Sequence, residues 1–270
     1  GVSSAASDVY KRQGTVTCDG KGIANVVVTD GLRCVTTDKN GIYHLPSLGN
    51  THFVYITTPA GYLTDCEQTI PKFYQEIDMN KTNEYNFRLK KNPKDDKKHL
   101  FVLEADVQAG LKEHWDLYAP IIDDYKQLIN QHSDRDVFGL NCGDIFWDTP
   151  ATFFPPYIDK AKKLDIPIYR AIGNHDIDCN GATHETSYRT FEGYFGPAHY
   201  SFNKGNAHYI VINNNFYVGR EYFYIGYVDE TTFKWLKEDL SYVPKGTLVF
   251  FMTHIPTRIT CLLYTSDAAD

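Results

Sequence analysis

Four short polar clusters, each placed directly after an apolar run, carry the chemistry of this sequence. They are Glu104-Ala-Asp106-Val-Gln108, Asn141-Cys-Gly-Asp144, Gly173-Asn174-His175-Asp176 and Thr253-His254. Together they offer carboxylates from Asp106 and Asp144, amides from Gln108 and Asn174, and imidazoles from His175 and His254. Carboxylate, imidazole and amide oxygen without thiolate suit a hard or borderline divalent cation such as Mn, Fe or Zn. Any one such residue is more simply a cap or a turn residue. Four clusters in the same position relative to four runs are hard to reconcile with that reading. Gly143 and Gly173 fit a metal site as well, because the chain must turn sharply to aim the next side chain inward.

The runs that must position these groups are His99–Leu103, Asp136–Leu140, Pro167–Ile172, His208–Ile212 and Leu248–Met252, and each reads as a buried strand. Helices alternate with them. Leu117, Ile121, Ile122, Tyr125, Leu128 and Ile129 recur at helical spacing over 114–132, and Ile158, Ala161 and Leu164 mark a second helix. Asp229 caps a third, with Phe233, Leu236 and Leu240 on one face and Trp235 beside it. Such alternation predicts an α/β domain with an extensively parallel sheet, whose ligands bind beyond the carboxyl ends of the strands.

Residues 14–90 have a different texture: short β-branched runs separated by Asp30-Gly31 and Asp38-Lys-Asn-Gly41 turn signals, which predict an all-β sandwich of roughly seven strands. The charged stretch 91–98 reads as a solvated linker and sets the domain boundary. Residues 1–13 and 261–270 show no sustained periodicity and resemble translated sequencing-adapter read-through at the edge of metagenomic reading frames, so both are expected to be non-native tails outside the fold.

The chain has 270 residues with Lys+Arg 27 against Asp+Glu 34, a net charge of −7, and 42% hydrophobic residues. No apolar run reaches the roughly 18 residues of a bilayer span, and no basic stripe marks a general nucleic-acid binder. Cys18, Cys34, Cys66, Cys142 and Cys179 contain no Cys-x-x-Cys pair. The first three can supply one disulfide in an oxidising compartment, or all can be buried thiols. The remaining histidines of the second region, His99, His114, His132, His184, His199 and His208, read as surface or structural, and Asn213, Asn214 and Asn215 as a turn or a cleft lining.

The order Asp106-x-Gln108, Gly143-Asp144, Gly173-Asn174-His175-Asp176 and His254 resembles the calcineurin-like metallophosphoesterases. Tyr194-Phe-Gly-Pro197, Tyr200-Ser-Phe202, Gly205-x-x-His208 and Trp235-Leu-x-x-Asp-Leu240 resemble that family too, and the likeness covers 99–256. The N-terminal region, through Gly14-x-Val16, Gly22-Ile-Ala-x-Val-x-Val28 and Thr37-Asp38-x-x-Gly41-x-Tyr43, resembles prealbumin-like or carboxypeptidase-regulatory-like modules. The layout is similar to that of two-domain phosphoesterases of Bacteroidetes, which implies a periplasmic or extracellular location. The sandwich itself is expected to be a spacer or docking module.

The resemblance implies an α/β/β/α layered phosphoesterase domain over 99–260 and two divalent metal ions (Mn, Fe or Zn). Asp144 would bridge the ions, Asp106 and Gln108 would serve the first, and Asn174 and His254 the second. A bridging hydroxide would attack phosphorus, His175 would protonate the leaving oxygen and Asp176 would orient His175. The partner implied is a small phosphoester, mono- or diester. Two departures from the family pattern matter: Gln108 stands where His is usual, and no Gly-His-x-His segment occurs in the 270 residues. The expectation is therefore a C-terminally truncated chain that binds metal weakly and turns over little, its complete gene product being active. The alternative is a non-catalytic metal- or phosphate-binding protein with a degenerate site; a functional sandwich attached to a relic α/β domain ranks last.

Overall fold

The computed structural model describes residues 10–47, 51–78, 83–147, 150–178, 180–181, 183–221 and 223–257. The N-terminal part contributes β1 (Tyr10–Cys18), β2 (Lys21–Gly22), β3 (Val27–Thr29), β4 (Cys34–Thr36), β5 (Ile42–Ser47), β6 (Phe53–Ile56), β7 (Tyr62–Leu63), β8 (Cys66–Glu67), β9 (Ile70–Pro71), β10 (Tyr74–Glu76) and β11 (Phe87–Lys91). A five-stranded sheet (β2-β1-β11-β7, with β5 on β1) packs on a four-stranded one (β10-β6-β3-β4), and β8 with β9 forms a small separate hairpin. Alternation decides which faces meet: along β5, Tyr43, Leu45 and Ser47 point inward while Ile42, His44 and Pro46 face out. The strands are thus more numerous than the seven expected.

Two assignments made from the sequence change here. Residues 10–13, read as tail, are the first part of β1 and pair with Ser47–His44 of β5. The guanidinium of Arg12 is buried and ion-paired to Asp30 at 3.2 Å, a contact across the sandwich that local periodicity cannot reveal. The stretch 91–98 is folded as well. Asp95 caps a 3-10 turn over Asp96–Lys98, and Asp96 is buried, accepting the Gly61 N–H at 2.5 Å. Among the described cysteines, Cys18, Cys34, Cys66 and Cys142 are free thiols; Cys179 and Cys261 lie outside the described residues.

The second part follows as β12 (Leu100–Glu104), α1 (His114–Gln131), β13 (Val137–Asn141), α2 (Pro150–Ala161), β14 (Ile168–Arg170), α3 (Arg189–Phe195), β15 (Tyr200–Lys204), β16 (Ala207–Val211), β17 (Asn215–Gly219), β18 (Phe223–Gly226), α4 (Glu230–Ser241) and β19 (Leu248–Met252). Strands β12, β13 and β14 are parallel neighbours. A second three-stranded sheet, β15-β16-β19, is mixed, with β15 antiparallel and β19 parallel to β16. The strand-helix alternation predicts an extensively parallel sheet, and the α/β/β/α layering that the resemblance implies requires two sheets; among the described residues β14 does not pair with β15, so there are two, the first all parallel and the second mixed. The sheets meet through aromatic rings, Tyr169 on Phe202 at 3.6 Å and Phe138 on Tyr209 at 5.5 Å between centroids. Helices α1 and α2 cover the outer face of the first sheet and α4 that of the second, giving α/β/β/α layers.

The burial on two helices differs from the expected face. Helix α1 buries Trp115, Tyr118 and Ile122, whereas Leu117, Ile121 and Leu128 stay exposed, as do Phe101 and Leu103 on β12. The cause is position: β12 is an edge strand, so the flank of α1 that overhangs it finds no partner among the described residues. On α4 the buried stripe is Thr232, Trp235, Leu236 and Asp239, and Phe233 faces out.

The two parts share one core, in which Phe73 packs on Tyr200 with centroids 4.6 Å apart. Polar contacts reinforce it: Thr57 Oγ1 lies 2.8 Å from Ser201 Oγ, which donates to Asp239 at 2.7 Å, and Asp239 also pairs with buried His208 at 2.8 Å. The strand-rich part is therefore a wall of the α/β domain. No helix of the described residues is long and apolar enough to cross a membrane.

Candidate metal centre

The ends of β12, β13, β14 and β19 deliver their following loops to one place. Main-chain hydrogen bonds continue the parallel register past the strands: Asp106 N–H donates to Gly143 O, and Gln108 N–H to Asp144 O, each at 3.0 Å. Beneath them Glu104 accepts from Tyr118 Oη and Tyr157 Oη at 2.7 Å and from Asn141 Nδ2 at 2.9 Å. Asn141 in turn accepts the Gly143 N–H at 2.9 Å, which shapes the turn that presents Asp144.

Three residues of the cluster hold φ angles that L side chains rarely adopt: Asp106 at 54°, Gln108 at 45° and Asp144 at 52°, beside Gly143 at 94°. Backbone strain gathered in this way is characteristic of sites where side-chain aim outweighs local preference. Gly173 is required for another reason. A Cβ there would lie 2.1 Å from both the backbone nitrogen and Oδ1 of Asp144.

One ligand atom each from Asp106, Asp144 and His254 lie within 4.8 Å of one another. Asp144, 2% exposed, divides its oxygens. Oδ1 accepts the His175 N–H at 2.9 Å and lies 3.4 Å from His254 Nε2, whereas Oδ2 faces Gln108 Nε2 at 3.0 Å and His175 Nε2 at 4.0 Å. His254 Nδ1 lies 3.0 Å from the Cys142 carbonyl, which only accepts, so Nδ1 carries a proton and Nε2 is turned into the site. Nε2 meets Asn174 Oδ1 at 2.9 Å and Asp144 Oδ1 at 3.4 Å. A lone pair aimed at two oxygens is repulsive unless a proton or a cation stands among them. Donor type and convergence thus both fit a metal ion.

The family model described as calcineurin-like phosphoesterase matches residues 99–270. The chain belongs to the calcineurin-like phosphoesterase family. A second model, described as the N terminal of calcineurin-like phosphoesterase, matches residues 10–92. A search of curated proteins finds no match. Metal-dependent phosphoester hydrolysis is the activity class of the family, and in this chain the Asp106–Asp144–His254 group is where an ion can be held.

The predicted site residues Asp106, Gln108, Asp144, Asn174, His175 and His254 come together, but Asp176 does not act as expected. It is fully buried, and its carboxylate accepts the N–H groups of Ile145 at 2.9 Å and Gly173 at 2.8 Å. It clamps the two metal loops to each other and leaves the His175 ring to other contacts. Asn214 and Asn215, read from the sequence as a turn or a cleft lining, instead hold the loops of the site. Asn214 brackets Ile255, donating to its carbonyl at 2.6 Å and accepting its N–H at 3.1 Å, and so fixes the loop that carries His254. Asn215 Nδ2 donates to Ile172 O at 2.7 Å, next to Gly173. The run of three Asn after a strand was the available signal.

Electrostatics at this site favour exchanging protons for a cation. Burial pushes Asp176 up to about 7, helped by the charge of Asp144 and opposed by its two backbone donors. Burial alone would lower His254, but the hydrogen bond and charge of Asp144 raise it above the ordinary imidazole range. Asp144 ends below the ordinary range, because donors from His254, the His175 backbone and Gln108 outweigh its burial.

The signs agree. A raised imidazole gives stability that is present below its unfolded pKa and lost as pH rises through the folded one, and a raised buried carboxyl costs stability over the same ascent. The metal-free protein is accordingly expected to melt at a lower temperature at pH 8 than at pH 6, and the increase caused by Mn to be larger at pH 8. Thermal unfolding at both pH values with and without Mn checks this; a Mn effect larger at pH 6 would contradict it.

Proposed function

We propose that this chain hydrolyses a small phosphoester at a centre of two divalent cations, with Asp144 shared between them. The divided oxygens of Asp144 support the reading, one facing His254, whose Nε2 also meets Asn174, the other facing Gln108 on the Asp106 loop. Bound there, the cations would activate water and neutralise charge on the entering and leaving oxygens. The protein supplies the rest. Asp106 and Asp144 give the anionic ligands, Asn174 and His254 the neutral ones, and His175 a proton for the leaving oxygen. Asp176, through the Ile145 and Gly173 N–H groups, keeps the two loops at a fixed separation.

The donor set is sparse on the Asp106 side, where Gln108 contributes an amide. Weak binding and slow turnover follow for this chain. Hydrolysis of p-nitrophenyl phosphate and its bis-ester at millimolar Mn tests the proposal. No Mn-dependent turnover of either would return the chain to a metal- or phosphate-binding role. The same deficit makes a constructive prediction. Gln108→His places a nitrogen ligand at the same backbone position and should tighten Mn binding about tenfold or more, a gain comparable with what ligand-supporting groups are worth. Titration calorimetry reads it, and unchanged affinity would place Gln108 outside the ligand shell.

A further inference from the structure

Trp147 stands three residues beyond Asp144, on the loop that leaves β13. Its indole lies against the imidazole of His175, with ring centroids 4.1 Å apart and planes 24° from parallel. The seat is fitted. The backbone N–H of Trp147 reaches the Ala109 carbonyl at 3.4 Å, and a Cβ added at Gly110 would come within 3.1 Å of Trp147 Cβ. The other two indoles belong to the core, Trp115 at 4% and Trp235 at 0% exposure, while Trp147 is 51% exposed. A flat apolar surface is thus presented to solvent beside the one imidazole that faces Asp144 from the Asp176 loop.

On the function proposed above, on which this inference rests, the departing alcohol must lie next to His175, since its oxygen receives the proton from that ring. The alcohol therefore also lies next to Trp147. We propose that Trp147 is a specificity-determining residue: it stacks on the leaving group and selects phosphoesters of planar aromatic alcohols over those of alkyl alcohols. Aromatic stacking of this kind is worth roughly 2- to 10-fold in binding.

The test compares wild type, Trp147→Phe and Trp147→Ala in two ways. With Mn, the ratio of kcat/KM for phenyl phosphate to that for glycerol phosphate should fall up to about tenfold in Trp147→Ala, through KM for the aryl ester, and be largely retained in Trp147→Phe. Without turnover, calorimetry on the Mn-loaded protein should show phenylphosphonate binding tighter than methylphosphonate in wild type, and the preference lost in Trp147→Ala. Equal losses for aryl and alkyl ligands, or no aryl preference in wild type, overturn the inference. A wild type that prefers phenylphosphonate but hydrolyses neither ester supports the stacking and overturns the hydrolytic function.

Discussion

Asp144→Asn is expected to remove Mn-dependent hydrolysis, with kcat/KM falling roughly 10³-fold or more, as the several kcal/mol supplied by a correctly held metal pair implies. Mn affinity should drop by more than about 100-fold, beyond the 10- to 100-fold typical of losing a group that merely supports a ligand. On the function proposed above, the size of the effect follows from Asp144 serving both halves of the site. Asn keeps the shape, and its Oδ1 can still accept the His175 N–H now bonded at 2.9 Å. Its Nδ2 can face Gln108 once that amide turns its oxygen inward. At pH 8, where the pairing of Asp144 with His254 contributes least, the melting temperature of the metal-free variant should therefore stay near that of wild type, which separates ligand loss from unfolding. Calorimetry, the esterase assay and a melting curve together decide it. Retained Mn affinity in Asp144→Asn would remove the shared carboxylate from the account.

Gly173→Ala should do comparable damage by steric means. The new methyl would sit 2.1 Å from Asp144 Oδ1 and from the Asp144 backbone nitrogen. Neither can yield cheaply, because the Gly173 N–H is held by Asp176 at 2.8 Å and Oδ1 of Asp144 by the His175 N–H at 2.9 Å. Relief requires parting the two loops that make the site. Overpacking of this sort costs about 1–3 kcal/mol or more, which in a chain of this size lowers the melting temperature by roughly 2–4 °C per kcal/mol. Mn binding should be lost with it. Gly193→Ala is the control. It lies within α3 with nothing within 4 Å of an added Cβ, so it should gain up to about 1 kcal/mol from helix propensity. Gly173→Ala as stable as wild type, with Mn binding intact, would show that the loops are not in the tight contact described.

Much of this architecture was legible in the residues because it depends on local pattern. The strands ending at Glu104, Asn141, Arg170 and Met252, the helix from His114 and the Asp229 cap of α4 all follow from apolar runs, periodicity and capping chemistry. The side chains immediately after each strand were readable as a group, since in parallel strands such positions are neighbours. What escaped was set by partners distant in sequence. Asp176 reads as a residue beside His175, yet its carboxylate serves Ile145, whose place 31 residues upstream is fixed only by the sheet. The exposed flank of α1 has the spacing of a core face, and only the edge position of β12 leaves it bare. Positive φ at Asp106, Gln108 and Asp144 is invisible in residue type, because no glycine announces it. The binding of Arg12 by Asp30 likewise turned an apparent tail into a strand.

The most direct measurement is anomalous diffraction from crystals of the chain soaked in millimolar Mn. Two peaks about 3.5 to 4 Å apart are expected, both touching Asp144, one shared with Asp106 and the other with Asn174 and His254. Peaks confined to other parts of the molecule, or a lone ion with no contact to Asp144, would contradict it.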